Sequence, residues 1–390
     1  MKYSIIVPVF NRPDEVDELL KSRTEQTLKD FEVIIVEDGS KIPCKDVCDK
    51  YAGILDLHYY FKDNSGPGQS RNYGAERAQV EWLIVLDSDV VVPKEYLSNV
   101  NKSLTPNPSP IGEGSIYTQN DDSENELTTP LSNRRGVGGE AFGGPDAAHP
   151  DFTPVQKAIS YSMTSFFTTG GIRGGKGKKL DKFFPRSYNM GIRRDVYLEL
   201  GGFSKMRFGE DIDFSYRIVE AGYKTALIPE AWVWHKRRTD FRKFFRQVYN
   251  SGIARINLEK RHPGTLKLVH LLPTVFTLGV ILLSMLALVG VALALLGLFS
   301  ASEPGCNMSP VVIGFGLCMT LVALSPLLLY SLLICIDSSI KNRSLWVGLL
   351  SIPAAFTQLM GYGLGFIESW WKRCVLGKDE FQAFEKNFYK

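Results

Sequence analysis

Three long uncharged stretches in the last third of the chain constrain its fold most: Leu271–Phe299, Pro310–Ile336 and Leu345–Ile367. Each is longer than the roughly 20 residues that cross the hydrocarbon core of a bilayer. From residue 268 to residue 336, the only Asp, Glu, Lys or Arg is Glu303. Because a buried helix of a soluble protein does not need such lengths, the first two stretches are predicted to span a membrane.

The third stretch is a weaker candidate, since it contains Pro353, Gln358 and four glycines from Gly348 to Gly365. Three crossings would place the tail on the far side, yet Trp370–Arg373 is typical of an inner-leaflet anchor. The stretch is therefore a span that departs from the positive-inside bias, or a re-entrant or interfacial segment. Residues 268–390 are predicted to form a membrane domain with two or three hydrophobic helices and a tail of cytosolic character.

A basic segment precedes the first stretch. Ten lysines and arginines lie from residue 236 to residue 267, against only Asp240 and Glu259. By the positive-inside bias, we expect a multi-pass protein of the inner (cytoplasmic) membrane, with a cytosolic soluble domain and lipids among its partners. Residues 241–267 are predicted to be a basic amphipathic segment that lies on the membrane surface or packs on the domain core. The net charge of +3 gives no case for nucleic-acid binding.

Strand and helix patterns alternate over the first ninety residues, with apolar runs at Ser4–Val9, Phe31–Val36 and Trp82–Leu86. This alternation predicts an α/β fold, a mostly parallel sheet with helices on both faces, in a domain spanning residues 1–240. Residues 105–139 interrupt the pattern, because they are rich in Pro, Asn, Ser, Gly and acids. They are predicted to be a disordered insertion.

Polar residues follow three of these strands: Pro8 to Asn11, Glu37 to Ser40, and Asp87 to Asp89. Ligands of such sheets bind beyond the carboxyl ends of the strands, so we expect one site at this edge. Asp87 and Asp89 would repel each other unless a cation lay between them. Oxygen ligands favour a hard divalent ion, and Mg²⁺ or Mn²⁺ would also bind substrate phosphates.

Other residues complete the predicted site. Asp38 can accept a hydrogen bond from a uracil imide or from guanine, and Arg71 enters a helix where it can meet a base or a diphosphate. Asp211 is the candidate base that takes a proton from an acceptor hydroxyl, with Glu210 positioning the acceptor. His235 follows an apolar run and is a candidate metal ligand or phosphate contact.

Together these motifs resemble the family-2 glycosyltransferases, which have the GT-A fold. The matching stretches, in chain order, are Ser4–Asn11, Glu37–Ser40, Gly68–Asn72, Leu86–Asp89, Asn189–Gly191, Gly201–Phe203 and Gly209–Asp213. They cover about residues 3–240. Members usually have two acids before the Gly-Ser pair, and Glu37 replaces the first here.

The resemblance implies an inverting transfer from a nucleoside diphosphate sugar, a UDP- or GDP-sugar. It implies that Pro8, Asn11, Asp38 and Arg71 hold the nucleotide. Asp87 and Asp89 would hold the metal and the diphosphate, and Asp211 would be the base.

Residues 247–251 do not match the Gln-x-x-Arg-Trp signature of processive synthases. We therefore expect addition of a single sugar to a glycan or lipid-linked acceptor at the membrane. Two alternatives are a transferase that uses polyprenyl phosphate, with Arg237 and Arg238 at its phosphate, and an inactive GT-A-like membrane scaffold.

Overall fold

The computed structural model describes residues 2–104, 139–147, 149, 151–169, 183–236, 238–300 and 309–380. The predicted insertion at 105–139 lies outside these ranges except for its last residue, and Arg237 also lies outside them.

The described residues form ten strands and twelve α-helices. The strands are β1 Tyr3–Val9, β2 Phe31–Asp38, β3 Leu57–Lys62, β4 Trp82–Leu86, β5 Val90–Val91, β6 Ala141–Gly143, β7 Asp146–Ala147, β8 Asn189–Arg193, β9 Thr225–Leu227 and β10 Val233–His235. The helices are α1 Pro13–Thr24, α2 Lys45–Tyr51, α3 Pro67–Arg77, α4 Tyr96–Leu104, α5 Pro154–Thr164, α6 Phe166–Thr169, α7 Arg194–Glu199, α8 Glu210–Glu220, α9 Phe241–Arg261, α10 Leu272–Ser300, α11 Ser309–Asn342 and α12 Leu345–Trp370. A short 3₁₀ turn at Leu268–His270 precedes α10, and a π-turn at Trp371–Val375 follows α12.

Seven strands form the central sheet in the order β3-β2-β1-β4-β8-β6-β9. All its pairs are parallel except the two that involve β8. The mostly parallel sheet predicted from the alternating pattern is therefore confirmed. A second sheet, β5-β10-β7, lies beside it, and in this sheet His235 pairs with Val90.

Helices cover both faces of the central sheet. On one face, α1 and α4 bury Leu19, Leu20 and Leu97 against β1 and β2. On the other, α3 and α8 bury Ala75 and Phe214 against the same sheet. This two-faced burial is the reason why the central strands are continuous apolar runs rather than alternating ones.

The strand directions bring the predicted site together. β2, β1 and β4 are adjacent and parallel, so their carboxyl ends lie at one edge. Asp38 ends β2, Asn11 follows β1, and Asp87 follows β4. The small sheet then places His235 beside the segment that contains Asp89, because β10 pairs with β5.

Three helices after residue 267 are long and apolar enough to cross a membrane. α10 and α11 pack as an antiparallel pair through small residues, with Gly290 and Ala294 of α10 against Gly316 of α11. α12 differs from them, because 44% of its most apolar window is buried, against 17% and 11% for the other two. Glycines bring α12 close to α9: a Cβ on Gly252 would lie 2.1 Å from the carbonyl oxygen of Tyr362.

We predict that Gly252→Leu destabilises the protein by about 3 kcal/mol, the upper end of the usual cost of overpacking, because the obstructing atoms belong to backbone. Gly279→Leu in α10 is the matched control, since a Cβ there has no neighbour within 4 Å. Both changes replace a helical glycine by the same residue, so helix propensity favours both variants alike. Thermal unfolding of the detergent-solubilised proteins measures the effect, and equal midpoints for the two variants would contradict the close α9–α12 packing.

Candidate active site

Three candidate metal ligands lie together at the carboxyl end of β4. Asp87, Asp89 and His235 each offer a ligand atom, and these atoms all lie within 4.8 Å of one another. The turn after β4 supplies the two carboxylates, and the last residue of β10 supplies the imidazole. The sequence separates them by about 150 residues, so only the pairing of β10 with β5 brings the histidine to this edge.

Asp89 is surrounded by basic side chains. Arg12 Nη1 lies 2.5 Å from its carboxylate, His235 Nε2 lies 3.3 Å away, and Arg238 Nη1 lies 4.0 Å away. Burial alone would raise the pKa of Asp89, but the hydrogen bond and charge of His235, with the charges of Arg12 and Arg238, lower it far below its usual range. Asp89 is therefore an anion at any physiological pH.

These residues fit a hard divalent cation. Carboxylate oxygens suit Mg²⁺ and Mn²⁺, and imidazole is compatible with Mn²⁺. His235 faces Asp89 with its Nε2 atom, at 3.3 Å, so Nε2 is the candidate ligand, and its Nδ1 lies 3.9 Å from Asp146 Oδ2. A carboxylate beside the other ring nitrogen orients a metal-binding imidazole.

Arg71 links this cluster to the start of α8. Its Nη2 lies 2.7 Å from Asp87 Oδ1, and its Nη1 lies 3.2 Å from Glu210 Oε1. The side chain is only 4% exposed, and its guanidinium lies 5.1 Å from the ring centroid of Phe203. A buried arginine held by two carboxylates and an aromatic ring has little freedom to move, so it fixes the spacing between β4 and α8.

Two acids open α8. Gly209, at φ +84°, precedes the helix and turns the chain into it, a backbone conformation that favours glycine. Asp211 Oδ2 lies 2.7 Å from Arg186 Nε. Burial opposes the ionisation of Asp211, but the charge and hydrogen bond of Arg186 outweigh it and lower its pKa. Burial, together with the charge of Asp211, raises the pKa of Glu210 to about 7.

Asp38 organises the loop that leads into α3. It accepts hydrogen bonds from the backbone N–H groups of Ser65 (2.9 Å) and Gly66 (2.8 Å) and pairs with Lys62. Its side chain is 2% exposed. The carboxylate thus holds the loop in place, and a nucleobase donor would have to share these oxygens or displace Lys62.

Asn11 and Pro8 lie at the end of β1. Asn11 has a φ of +54°, an αL conformation that asparagine tolerates better than most residues. Its side-chain oxygen accepts hydrogen bonds from the backbone of Lys41 (2.7 Å) and Ile42 (3.0 Å), so it joins the β1 and β2 loops. Pro8 lies within β1, buried and paired with Val36.

Sequence reasoning missed the cations that partner the acids: Arg12, Arg186 and Lys62. Arg12 directly follows Asn11, and its place in that motif was the only signal that could have found it. Arg186 lies 25 residues before Asp211, and no spacing rule joins them. Glu37, which stands in place of the first of the family's two usual acids, is fully buried and accepts a hydrogen bond from the backbone of Cys44 at 2.7 Å.

Known proteins resemble this chain in sequence and in fold. The profile of glycosyl transferase family 2 matches residues 4–197, and that of glycosyl transferase family group 2 matches residues 182–336. An uncharacterized glycosyltransferase of Haemophilus influenzae is 37% identical over 113 residues, which are 27% of this chain and 35% of that protein. The validoxylamine A glucosyltransferase of Streptomyces hygroscopicus is 26% identical over 246 residues, 59% of this chain and 54% of that protein.

Among solved structures, the mannosyltransferase PcManGT from Pyrobaculum calidifontis, in complex with GDP-Man and Mn²⁺, has a TM-score of 0.52 at 14% identity. The match covers 95% of this chain and 88% of that one, and at this identity it shows a shared fold. The chain spans between 16% and 54% of the lengths of the curated relatives it matches. The two profiles, which together run from residue 4 to residue 336, agree with this fold, and the chain belongs to the family-2 glycosyltransferases.

Proposed function

We propose that this chain transfers one sugar from a UDP- or GDP-sugar to a membrane-associated or glycan acceptor, with inversion at the anomeric carbon. The observation that carries the proposal is the pair of contacts made by Arg71. One arginine touches a candidate metal ligand, Asp87, and the acid that precedes the candidate base, Glu210. This buried arginine supports the proposal, because it connects a residue proposed to hold the diphosphate with the helix start that carries the proposed base.

The donor would bind along the carboxyl ends of β1, β2 and β4. Pro8, Asn11, Asp38 and Arg71 are proposed to face the nucleotide, and Asp87 the diphosphate. Asp87, Asp89 and His235 would hold Mg²⁺ or Mn²⁺. A bound divalent ion supplies positive charge for the leaving diphosphate. That PcManGT was solved with GDP-Man and Mn²⁺ supports this assignment.

In the proposed reaction, the acceptor oxygen attacks the anomeric carbon opposite the diphosphate, and its proton passes to Asp211. The new bond to the acceptor oxygen forms as the bond to the diphosphate oxygen breaks, and the nucleoside diphosphate leaves with the electron pair. Asp211 is suited to accept the proton because Arg186 keeps it ionised. The same ion pair makes it a weaker base.

Glu210 has a different proposed role. With a pKa of about 7 it is only partly ionised at neutral pH, so it can donate a hydrogen bond to an acceptor hydroxyl as well as accept one. Its contact with Arg71 holds it beside the donor site. It would position the acceptor while Asp211 removes the proton.

The membrane is the proposed place of action. Three helices could span a bilayer, and the basic segment before them favours the cytoplasmic face of the inner membrane for the catalytic domain. The acceptor would then be a glycan or a lipid-linked precursor. Polyprenyl phosphate is the second candidate, and the position of Arg238 near Asp89 favours an additional phosphate at this site. An inactive scaffold fits less well, because every acid expected of an active member is present.

We predict that Asp89→Asn and Asp211→Asn impair the protein in different ways. Asp89→Asn should remove the metal dependence of nucleotide-sugar binding, whereas Asp211→Asn should bind the donor normally. Loss of the base should lower the turnover rate by about 10²–10⁴-fold. The purified full chain is screened by thermal shift with UDP- and GDP-sugars in Mn²⁺, and turnover is then followed with the donor that stabilises it.

Gly53→Ala is the control for this series, because the residue is exposed and a Cβ there meets no atom within 4 Å. Failure of every UDP- and GDP-sugar to bind or react would contradict the proposed function. Equal turnover by the wild type and Asp211→Asn would contradict the base assignment alone. A larger loss of turnover in Glu210→Gln than in Asp211→Asn would mean that Glu210 is the base and Asp211 positions the acceptor.

We also predict that ionisation of Glu210 costs folding stability. The pKa of Glu210 in the folded chain is about 7, above the ordinary glutamate value of 4.5. As the pH rises, the unfolded chain therefore releases this proton before the folded chain does. The stability that the protonated Glu210 carboxyl contributes to the folded state is fully present below pH 4.5 and is lost as the pH rises through 7. Glu210→Gln lacks this loss, so its unfolding temperature relative to wild type should rise between pH 5 and pH 8. Glu25→Gln, at an exposed residue, is the control, and parallel pH curves for wild type and Glu210→Gln would contradict the prediction.

A further inference from the structure

α9 and α12 lie side by side and run in the same direction. Gly361 faces Val248, and a Cβ on Gly365 would touch the carbonyl oxygen of Tyr249. Ser369 Oγ donates a hydrogen bond to the carbonyl oxygen of Ile253 at 3.2 Å. Farther along, Lys260 Nζ donates to the carbonyl oxygen of Arg373 at 2.6 Å. Residue numbers increase together in both helices, so whatever environment surrounds one also surrounds the other.

α9 packs on the catalytic domain in its second half. Its start packs on α5, where Phe244 contacts Ile159 and Met163. Just after its end, His262 Nε2 lies 3.1 Å from Asp213 of α8. Within its second half, Ala254 approaches Gly209 at the start of α8. A helix held against α8 in this way does not cross a membrane.

The charges of α9 lead to the same conclusion. Arg242, Lys243 and Arg246 are exposed near its start, and Lys260 and Arg261 near its end. An arginine or lysine at the centre of a bilayer is energetically costly. The start of α9 lies beside the middle of α12, with Phe241 packed near Val347 and Ala354. If α12 crossed the bilayer, it would therefore carry the three basic residues at the start of α9 into the hydrocarbon.

α12 contacts the α10–α11 pair near one of its two ends. Gly363 meets Pro273 and Thr277 in the first two turns of α10. Ser351 hydrogen-bonds Ser338 at 2.6 Å, and Ser338 lies near the end of α11. Since α10 and α11 are antiparallel, the start of one and the end of the other lie at the same end of the pair. A third span would instead pack along α11 toward its far end.

The two ends of α12 contact two different helices that precede the apolar region. Val347, near its start, packs with Ala158 of α5. Ser369, near its end, bonds to α9. The exposed tryptophans, Trp346 at one end and Trp370 at the other, would mark opposite faces of the bilayer on a spanning helix. On a helix that lies along the membrane surface, both would lie at the same interface.

We infer that α12 lies in the membrane interface with α9, so the chain crosses the bilayer twice, through α10 and α11. The tail from residue 371 then lies on the same side as the catalytic domain. The partner of this α9–α12 surface is the headgroup region of a bilayer that contains anionic lipids. Exposed basic side chains of α9 meet the headgroups, while Trp346 and Leu349 of α12 enter the apolar boundary. This arrangement holds whichever face the catalytic domain occupies.

Native cysteines allow a direct test. Cys306 lies in the sequence between α10 and α11, and Cys374 is exposed just after α12. Two variants of the full chain each keep one of these cysteines and have serine at the other five. A third variant has serine at all six and carries Gly53→Cys as the marker of the catalytic domain. A membrane-impermeant maleimide is applied to right-side-out and to inside-out vesicles.

The inference requires the Cys374 thiol and the Gly53→Cys thiol to react in the same vesicle orientation, and the Cys306 thiol in the other. Reaction of Cys374 together with Cys306, opposite the marker, would establish a third span and overturn it. Reaction of all three thiols from one face would also overturn it, because no helix pair would then cross. If Cys374 reacts only after detergent is added, Lys378→Cys in the six-serine background takes its place and is judged by the same criteria.

Discussion

Four carboxylates at one edge of the sheet are the constraint on which the rest of the structure depends. Asp87, Asp89, Glu210 and Asp211 would repel one another in a partly dry environment, and each would favour its neutral form. The partners that prevent this are Arg71 for Asp87 and Glu210, Arg12 and His235 for Asp89, and Arg186 for Asp211. These partners come from four separate parts of the chain. The acids therefore do not merely line a cleft; they hold the loops after β1, before β8 and after β10 against β4 and α8.

Much of this fold follows from the sequence, because burial on two faces leaves a strong mark. The runs at 5–9, 33–36 and 82–86 in β1, β2 and β4 are apolar throughout, and the polar residues that follow them predicted one site at one edge. The order of the motifs along the chain was the only sequence signal that grouped Asp87, Asp89 and His235. The cationic partners were not predictable, since Arg186 and Asp211 meet through the packing of a loop on a helix, and no local pattern encodes such a contact. The pKa values of the buried acids Glu210 and Asp211 differ because of such a contact. Burial and the charge of Asp211 raise the pKa of Glu210, whereas Arg186 outweighs burial and lowers the pKa of Asp211.

The sequence of α12 illustrates a different limit. Its length and hydropathy meet the requirements of a spanning helix, and the tryptophans at its ends agree with that description. Hydropathy, however, measures the average surroundings of a segment and does not distinguish lipid from protein. The glycines at 361, 363 and 365 let other helices approach within backbone contact, and neighbours cover them on alternate sides. A helix that is apolar because it is enclosed by protein looks, in sequence, like one enclosed by lipid. Only its neighbours separate the two cases.

The packing of α9 connects this membrane arrangement to the chemistry. α8, which carries Glu210 and Asp211, is held by α9 at three levels. Gly209 lies against Ala254, Asp213 is hydrogen-bonded to His262, and the same imidazole reaches Glu220 at 2.8 Å. α9 is in turn fixed to α12 by backbone contact, and α12 to the start of α10. A flexible linker between domain and membrane would allow the acids any height above the bilayer. A continuous series of packed helices allows only one. For the membrane-associated acceptor proposed above, the depth at which its hydroxyl must be presented would then be set by the protein.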